Sequence, residues 1–365
     1  MTQLNGILVT PHLTCMGRLE FDARIQAITP LASLEGAPRR YILPGFVDLH
    51  VHGGGGADCM EGEAAVRQMA RFHARHGTTA LLATTVTAPL PDLETALRGI
   101  AAVVANPGPG EARVLGVHLE GPFISPQKLG AQPPYTLLPS LETMRHLLTL
   151  APIRVVTLAP ELPGALELIA FLQTQGVRVQ QGHTEATYAQ SLAGFEAGAQ
   201  GFTHFYNAMT PLLHREPGVV GLGLERAEWA EVIPDRLHVH PAAVRVAWKT
   251  IPHTYAVTDA VAAAGMPEGE YRLGRHRVYK KGEGVFLADG TLAGSALTMN
   301  QAARNLSRWG YALHDILQMT SGHAALYIGL ESGLEVGLPA DLVVLGEDFT
   351  LEEVYIGGQK VRVPA

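Results

Sequence analysis

Through the middle of the chain, short apolar runs rich in β-branched residues alternate with stretches that have the spacing of amphipathic helices. The helical spacing is clearest at residues 63–76 and 91–105, where apolar side chains recur every three or four positions. Runs of the strand type are found at residues 47–49, 80–86, 114–119, 154–158, 177–180, 200–203, 230–233 and 254–257. Apolar strands that alternate with helices form parallel sheets covered by helices, and eight repeats close a barrel. The sequence therefore predicts an α/β fold, a (β/α)8 TIM-type barrel.

The two ends of the chain lack this helical periodicity. Short β-type runs, broken by Pro11, Gly17 and Pro30, are found at residues 6–10, 19–28, 340–345, 354–356 and 359–363. We expect both ends to share one sheet. We predict a small β-sandwich domain from residues 1–45 and 333–365, and a barrel domain from residues 46–332. Residues 265–291 are rich in glycine and predict a β-hairpin insertion after the eighth strand.

The overall composition narrows the class of protein. Of 365 residues, 47% are hydrophobic and 17% charged, which excludes a disordered chain. No apolar run approaches the ~20 residues that span a membrane, and the first residues do not resemble a secretion signal. The net charge of −7 provides no attraction for nucleic acid or anionic lipid. Because Cys15 and Cys59 cannot form a disulfide framework, we expect free thiols and a cytoplasmic protein. From the charge and the apolar runs we expect that it binds neither nucleic acid nor membrane.

Metal-ligand residue types stand where the predicted strands end. Active sites of (β/α)8 barrels lie at the C-terminal ends of the strands. His50 and His52 are two positions apart, so both imidazoles lie on one face of strand one and can reach one cation. Other strands end at the candidate ligands Glu120, His183, His204 and Asp259. We predict a dinuclear metal site at the barrel mouth, in which the carboxylate of Glu120 can bridge the two ions.

The ligand types indicate both the metal and the chemistry. Imidazole and carboxylate without thiolate suit Zn²⁺, Fe²⁺, Mn²⁺ or Co²⁺, and we expect one or two ions per subunit, with zinc as the first candidate. Two cations lower the pKa of water and polarise a carbonyl oxygen, as hydrolysis of an unactivated amide requires. Asp259 can take a proton from the attacking water and return it to the leaving nitrogen. The alternative for Asp259 is the N-cap of a helix over residues 260–264.

A series of local motifs resembles known enzyme families. Pro44-Gly-Phe-Val-Asp-Leu-His-Val-His-Gly resembles the strand-one motif of the amidohydrolase superfamily. Narrower motifs, in order over nearly the whole chain, are similar to the N-acetylglucosamine-6-phosphate deacetylase family. These motifs are His118-Leu-Glu-Gly-Pro-Phe-Ile-Ser-Pro, Thr157-Leu-Ala-Pro-Glu, Gly182-His-Thr, Thr203-His-Phe-Tyr-Asn-Ala-Met, Arg215-Glu-Pro-Gly, Asp235-Arg-Leu-His-Val, Val257-Thr-Asp-Ala and Gly294-Ser-Ala-Leu-Thr-Met. The resemblance implies hydrolysis of N-acetyl-D-glucosamine 6-phosphate to glucosamine 6-phosphate and acetate.

The resemblance also implies a role for individual residues. The implied metal ligands are His50, His52, Glu120, His183, His204 and Asp259. Asp259 is also the implied catalytic acid and base. The implied substrate contacts are Gln132, Asn207, Ala208, His238 and Leu297. Arg215 is expected to bind the phosphate in the neighbouring subunit's site, which makes the protein a homodimer and lets a net-negative chain bind an anionic substrate.

This chain departs from the family pattern at two positions. Gln132 stands where many members have histidine, so we expect an amide to donate the hydrogen bond that polarises the acetyl carbonyl. Arg236 stands where glycine is usual, and it either assists phosphate binding or faces solvent.

No lysine lies on strand four, where many amidohydrolases bridge their metals with a carboxylated lysine. Glu120 is therefore the available bridge.

Two alternative functions remain, and three residues and one loop near the predicted site are interpreted as having no catalytic function. Another amidohydrolase, acting on a cyclic amide or an N-acyl amino acid, has the same residue types at its strand ends. A catalytically inactive barrel that binds a sugar phosphate as a sensor has the same fold. We interpret His118 and Asp48 as structural residues and Cys59 as an inert thiol. The four glycines at residues 53–56 are interpreted as a flexible loop beside the metals.

Overall fold

Parallel strands form the centre of the structure, a computed structural model that describes residues 1–10, 13–33 and 39–364. In those residues the strands are β1 (Thr2–Val9), β2 (Thr14–Phe21), β3 (Ile25–Pro30), β4 (Arg40–Pro44), β5 (Phe46–Val51), β6 (Gly53–Gly54), β7 (Ala57–Asp58), β8 (Thr78–Thr85), β9 (Arg113–Glu120), β10 (Ile153–Leu158), β11 (Arg178–Gln181), β12 (Gly201–Phe202), β13 (Trp229–Val232), β14 (His253–Ala256), β15 (Gly269–Leu273), β16 (His276–Lys281), β17 (Gly284–Phe286), β18 (Leu292–Ser295), β19 (Leu342–Gly346), β20 (Leu351–Ile356) and β21 (Gln359–Val361). Strand β5 and strands β8 to β14 pair in chain order, each parallel to the next. The predicted (β/α)8 barrel is confirmed.

The barrel closes where the chain leaves β14. Asp259 N–H donates to His50 O at 2.9 Å, and Val51 pairs in parallel with Ala260. The last strand therefore meets the first, although most of the barrel sequence separates them. This closure brings the C-terminal ends of all eight strands to one mouth.

Helices cover the outside of the barrel with one apolar face each. Through the described residues they are α1 (Glu63–Arg75), α2 (Leu90–Ala105), α3 (Leu141–Leu148), α4 (Ala165–Thr174), α5 (Tyr188–Ala197), α6 (Gly218–Arg226), α7 (Pro241–Thr250), α8 (Met299–Arg308), α9 (Leu313–Leu317) and α10 (His323–Ile328). The helices predicted at residues 63–76 and 91–105 are confirmed within a residue. Helix α1 ends before Gly77, whose φ of 89° suits glycine and no longer continues a helix. Within the described part of the chain, no helix has the length and apolarity to span a membrane.

The two ends of the chain share one sheet, as predicted. Its strand order is β21-β20-β19-β4-β1-β2-β3 in the described residues. Three strands separate β2 from β20, yet the rings of Phe21 and Tyr355 are 5.0 Å apart. The sheet therefore curls until its two halves pack on each other around one apolar core, as a small sandwich does. The domain division at residues 1–45, 333–365 and 46–332 stays a prediction.

Two details of the N-terminal prediction are wrong. The run 19–28 is not one strand, because a turn after β2 intervenes, in which Asp22 Oδ1 accepts the Arg24 N–H at 3.0 Å. Gly17 does not break a strand but lies inside β2, where an added Cβ would stand 2.6 Å from Leu8 Cδ1. The Pro11 break lies outside the described residues, and Pro30 does end β3.

The insertion after the eighth strand is larger than the predicted hairpin. Strands β15 to β18 form a four-stranded antiparallel sheet in the described residues. Its apolar side chains, including Leu273 and Val285, pack with Val86 and Ala131 from the barrel loops. The insertion therefore forms a wall beside the mouth of the barrel.

The glycine run at residues 53–56 is an ordered hairpin rather than the expected flexible loop. Gly55 and Gly56 have φ of 62° and 88°, which glycine adopts without steric cost. Gly53 N–H donates to Ala260 O at 2.8 Å, and an added Cβ there would lie 2.4 Å from Ala57 O. The hairpin packs tightly against the loop that carries Asp259.

Candidate active site

The six predicted metal ligands meet at the mouth of the barrel. They are His50, His52, Glu120, His183, His204 and Asp259. Each stands at the C-terminal end of its strand or within three residues beyond it. All six are buried, with between 0% and 7% of each residue exposed. The barrel thus gathers six side chains from the ends of five strands into one water-poor site.

Glu120 faces two pairs of imidazoles through its two carboxylate oxygens. Oε1 lies 3.1 Å from His183 Nε2 and 3.0 Å from His204 Nε2, and these two nitrogens are 3.0 Å apart. Oε2 lies 3.2 Å from His52 Nε2 and 3.5 Å from His50 Nε2. One carboxylate between two imidazole pairs is the arrangement that a bridging ligand requires.

Asp259 completes the group of ligands around His50 and His52. Its Oδ1 lies 3.1 Å from His52 Nε2 and 3.5 Å from His50 Nε2. The two imidazole nitrogens are 3.2 Å apart. Two clusters of ligand atoms result: one comprises His50, His52 and Asp259, and the other comprises Glu120, His183 and His204.

Hydrogen bonds fix which nitrogen of His52 and of His183 faces the centre. His52 Nδ1 donates to Thr84 O at 2.9 Å, and His183 Nδ1 donates to Lys128 O at 2.7 Å. Carbonyl oxygens only accept, so the neutral imidazoles carry hydrogen on Nδ1 and present the Nε2 lone pair to the centre. Lone pairs only 3.0–3.2 Å apart repel unless a cation lies among them. His204 Nδ1 is buried without a hydrogen-bond partner in the described residues.

The carboxylates of the site attract positive charge. Burial alone would raise the pKa of the Glu120 carboxyl, but the imidazoles of His50 and His183 outweigh burial and hold that pKa well below its usual range. Burial lowers the pKa of His52, yet its contacts with Asp259 and Glu120 raise it to about 9. Ionised carboxylates in a buried site require cations beside them. The residues present therefore fit divalent cations with nitrogen and oxygen ligands.

Three of the ligand residues have left-handed backbone conformations. The φ angle is 49° at His183, 29° at His204 and 50° at Asp259. This region costs a residue with a Cβ roughly 1–3 kcal/mol, so the surrounding contacts must maintain it. At Asp259 the backbone oxygen accepts the Ser295 N–H at 2.8 Å, opposite the hydrogen bond to His50. Residues 260–264 form no helix, so the N-cap alternative for Asp259 is wrong.

Gln132 is held in one orientation beside the ligands. Its Oε1 accepts the Thr87 backbone N–H at 2.7 Å, and its Nε2 donates to Glu120 Oε2 at 2.5 Å. A backbone N–H can only donate, so the amide oxygen must face Thr87 and the NH₂ group must face Glu120. The second N–H of that group remains for another acceptor at the mouth of the site.

A cavity of about 320 Å³ opens directly onto the ligands. Five of the six ligands line it, together with Gln132, the turn residues Asn207 and Ala208, and His238. Strands and loops of the insertion close another side through Leu273, Leu292 and Gly294. The volume lies in the range of small-molecule sites, and the charged and polar side chains within the lining suit a polar ligand.

The cavity lining also includes groups that suit an anion. Asp235 Oδ2 accepts the His238 Nδ1–H at 2.6 Å, and Asp235 Oδ1 accepts the backbone N–H of His238 at 2.8 Å. Burial lowers the pKa of His238, but Asp235 outweighs burial and raises it. Lys128 also lines the cavity, and its closest carboxylate oxygen, on Glu185, is 3.9 Å from Nζ.

Three of the predicted or unusual residues lie apart from this cavity. Leu297 is buried and lines a neighbouring cavity with Asp235 instead. Arg215 lies exposed on a loop and does not line the cavity of its own chain. Arg236 is exposed as well, and its φ of 72° explains why glycine suits this position.

The three residues interpreted as non-catalytic, His118, Asp48 and Cys59, are buried. His118 contacts Leu49 O at 3.0 Å and Thr157 Oγ1 at 2.7 Å, and it is fully buried. Asp48 Oδ2 accepts the Thr258 hydroxyl at 2.6 Å, and burial raises the Asp48 pKa to about 7. Burial also raises the pKa of the Cys59 thiol well above its ordinary value, so the thiol stays protonated.

The sequence reasoning missed two residues at the site. Glu231 on β13 is fully buried beneath the ligands, and His50 holds its pKa below the usual range although burial raises it. Its signal was a single carboxylate inside an apolar strand run, which is costly unless it has partners. Thr87, which orients Gln132, gave no signal because its shorter contact, at 2.7 Å, is made by the backbone N–H, which every residue except proline has.

Comparison with known proteins gives consistent matches. The model of the amidohydrolase family matches residues 41–361. The N-acetylgalactosamine-6-phosphate deacetylase of Escherichia coli O157:H7 is 41% identical over 350 residues, covering 93% of this chain and 92% of that protein. The N-acetylglucosamine-6-phosphate deacetylase of Vibrio furnissii is 38% identical over 330 residues, covering 88% of this chain and 82% of that protein. A mutant N-acetyl-D-glucosamine-6-phosphate deacetylase from Mycobacterium smegmatis, solved in complex with N-acetyl-D-glucosamine 6-phosphate, superposes with a TM-score of 0.91 at 35% identity and covers 100% and 99% of the two chains.

Proposed function

The chain belongs to the amidohydrolase family, and we infer that it is a hydrolase that removes the acetyl group from N-acetyl-D-glucosamine 6-phosphate. The products are glucosamine 6-phosphate and acetate. The convergence of two imidazoles, those of His183 and His204, on Glu120 Oε1, beside a sugar-sized cavity, is the observation that carries this function. The overall reaction breaks a linear amide bond.

Six residues would hold the divalent cations of this enzyme. Glu120, His183 and His204 would hold the principal cation, and His50, His52 and Asp259 the second, with Glu120 shared. Bound cations supply Lewis acidity, which lowers the pKa of water and polarises the acetyl carbonyl. We propose zinc, with iron, manganese and cobalt as alternatives, because nitrogen and oxygen ligands without thiolate suit all four.

Asp259 moves the proton in this scheme. Its carboxylate lines the cavity beside the ligands, and neighbouring imidazoles, chiefly His50, hold its pKa below the usual value although burial raises it. An ionised carboxylate can accept the proton from the attacking water. The same group then gives that proton to the sugar nitrogen, because the nitrogen leaves poorly as an anion.

Gln132 stabilises the charge that develops on the acetyl oxygen. Its amide oxygen is occupied by Thr87 and one N–H by Glu120, so the other N–H is free to donate. A donor already fixed in place costs no reorganisation during the reaction, and one such donor is worth about 100-fold to 1000-fold in rate. This replaces the imidazole expected at the same position in related enzymes.

The phosphate binds at the part of the cavity that Asn207, Ala208, His238 and Lys128 line. Asn207 and Ala208 offer polar groups of a tight turn, and His238 and Lys128 offer positive charge. We propose that Arg215 of a second copy completes this site in a homodimer, because Arg215 is exposed and a guanidinium matches a phosphate. The free thiols Cys15 and Cys59 fit a reducing compartment, so we propose the cytoplasm as the location.

Acetate release from purified protein tests the function. We expect turnover of N-acetyl-D-glucosamine 6-phosphate, and a loss of most of the rate when the phosphate is removed, because the anion contacts are then unused. The 41% identical relative names the galactosamine epimer as the second candidate substrate, so both sugar phosphates are assayed side by side. Hydrolysis of cyclic amides or N-acyl amino acids with neither sugar phosphate turned over would contradict the proposal, and a protein that binds sugar phosphate without acetate release would be a sensor.

A further inference from the structure

Glu231 is a fully buried carboxylate that none of the steps above uses. It lies on β13 with 0% of its surface exposed, between the apolar neighbours Ala230 and Val232. Removing a carboxylate from water costs several kcal/mol unless hydrogen bonds and charges compensate it. An apolar residue would fill a barrel wall at no such cost, so the carboxylate has a specific function here.

The contacts of Glu231 lead directly to the ligands. Its Oε2 accepts the His50 Nδ1–H at 3.0 Å and the backbone N–H of His204 at 3.2 Å. Its Oε1 faces the Tyr255 hydroxyl at 3.4 Å and lies 3.9 Å from His118 Nδ1. One oxygen of Glu231 thus holds a side chain of one ligand cluster and the backbone of the other.

The hydrogen bond to Glu231 determines how His50 presents itself to a cation. A carboxylate only accepts, so a neutral His50 carries its hydrogen on Nδ1 and its lone pair on Nε2, toward Glu120 and Asp259. His52 and His183 are held by backbone carbonyls instead. Only the imidazole of His50, among the ligands in the described residues, is held by a charged acceptor, which is the stronger restraint and makes the ligand more basic.

We propose that Glu231 is a positioning residue that sets the affinity of the second cation, held by His50, His52 and Asp259. This inference rests on the proposed metal-dependent function and adds which residue decides between one and two ions. The principal cation depends less on Glu231, because there Glu231 contacts only the backbone of His204. A negative charge one imidazole away from the ion also raises the net attraction for a second positive charge.

The competing explanation is a purely structural one. Gln180 connects Tyr255 to Thr203, so Glu231 also borders a continuous chain of buried hydrogen bonds. If that network were its only purpose, a substitution would lower stability and leave cation binding unchanged. The test must therefore measure cation affinity directly rather than activity.

Glu231→Gln is the principal variant, because it keeps the size and one acceptor oxygen and removes the charge. Wild type and variant are stripped with a chelator and titrated with Zn²⁺ in competition with a chromophoric chelator. We expect the second equivalent to bind about 10-fold to 100-fold more weakly in the variant, while the first changes little. The zinc content after gel filtration should fall from two ions per chain toward one.

Two further variants separate positioning from folding. Glu231→Asp keeps the charge but withdraws it from His50, so an intermediate weakening is expected, and it gives the readout if Glu231→Gln does not fold. Glu111→Gln is the matched control, a buried carboxylate paired with Arg67 and Arg71 outside the site, and it should lower stability without changing either zinc affinity. Circular dichroism confirms that each variant is folded.

The outcomes distinguish this inference from the proposed function. An unchanged second equivalent in folded Glu231→Gln, or an equal loss of both equivalents, overturns the positioning function. A wild type that binds one zinc ion and releases acetate also overturns it and leaves the deacetylase proposal in place. A wild type that binds no zinc and releases no acetate removes both.

Discussion

Acid should destabilise the barrel through His73, a buried histidine behind the glycine hairpin at residues 53–56. His73 lies on α1 with 0% exposed surface, and its Nε2–H donates to Gly53 O at 2.9 Å. Its Nδ1 is buried and has no partner in the described residues. Burial lowers the pKa of His73 from 6.5 to about 4, and the hydrogen bond to Gly53 only partly compensates. Protonation would therefore place an unsolvated charge beneath the glycine hairpin.

The sign and size follow from proton binding in the two states. Between pH 6.5 and about 4 the unfolded chain carries the proton on this imidazole and the folded chain does not, so the contribution is complete above pH 6.5 and is lost as the pH falls. The two pKa values correspond to about 3 kcal/mol over the whole window, of which about 2 kcal/mol is lost by pH 4.5.

Urea unfolding at pH 7 and pH 4.5 measures this contribution. The matched variant is His73→Gln, whose amide can still donate to Gly53 O but does not titrate. Both proteins are stripped of metal, so loss of the cations in acid does not enter. We expect the free energy of unfolding of wild type to fall by about 2 kcal/mol more than that of the variant. Equal losses in the two proteins would refute a depressed pKa at His73.

Four substitutions at three further residues test the reaction. Asp259→Asn should lower kcat about 100-fold to 10,000-fold, because the group that transfers the proton is lost. Glu120 and its two imidazoles should keep the protein metal-bound, which elemental analysis measures. Unchanged turnover removes Asp259 from proton transfer. Gln132→Leu should lower kcat about 100-fold because the acetyl oxygen loses its hydrogen-bond donor, whereas Gln132→His should keep most of the rate. Equal rates in the wild type and both variants contradict the donor function of Gln132. Arg215→Ala should raise KM about 10-fold or more for the phosphorylated sugar alone. Mixing the Arg215→Ala protein with the Asp259→Asn protein should restore partial activity, because each subunit completes its neighbour's site. No recovery of activity argues for sites within one chain.

Much of the barrel could be predicted because its signals are local. The helices α1 and α2 show apolar side chains at helical spacing, and the parallel strands are short apolar runs, so both appear within a window of a few residues. The two-residue spacing of His50 and His52 fixes their shared face for the same reason. The curled sheet of the chain ends was predicted in outline, but its turn at residues 22–24 depends on one side-chain hydrogen bond.

Other features depend on contacts that no local window contains. The glycine hairpin at residues 53–56 is ordered because it bonds to the loop after β14, far along the chain. The sequence of residues 265–291 predicts one hairpin, whereas the structure has four short strands there, because their pairing is decided by packing over the barrel mouth. The substrate contact of Leu297 stays a prediction, since the structure shows Leu297 in the lining of a neighbouring cavity.

By itself, the sequence determined which residue types end the strands and therefore the kind of chemistry this protein performs. Only the tertiary structure decided which oxygen of Glu120 faces which imidazole, how Thr87 orients Gln132, and that Glu231 holds His50. The physical reason is that spacing along a strand is set by local backbone geometry, whereas distances between strands are set by the closure of the barrel. Hydrogen bonds and cation sites depend on tenths of an ångström across that closure.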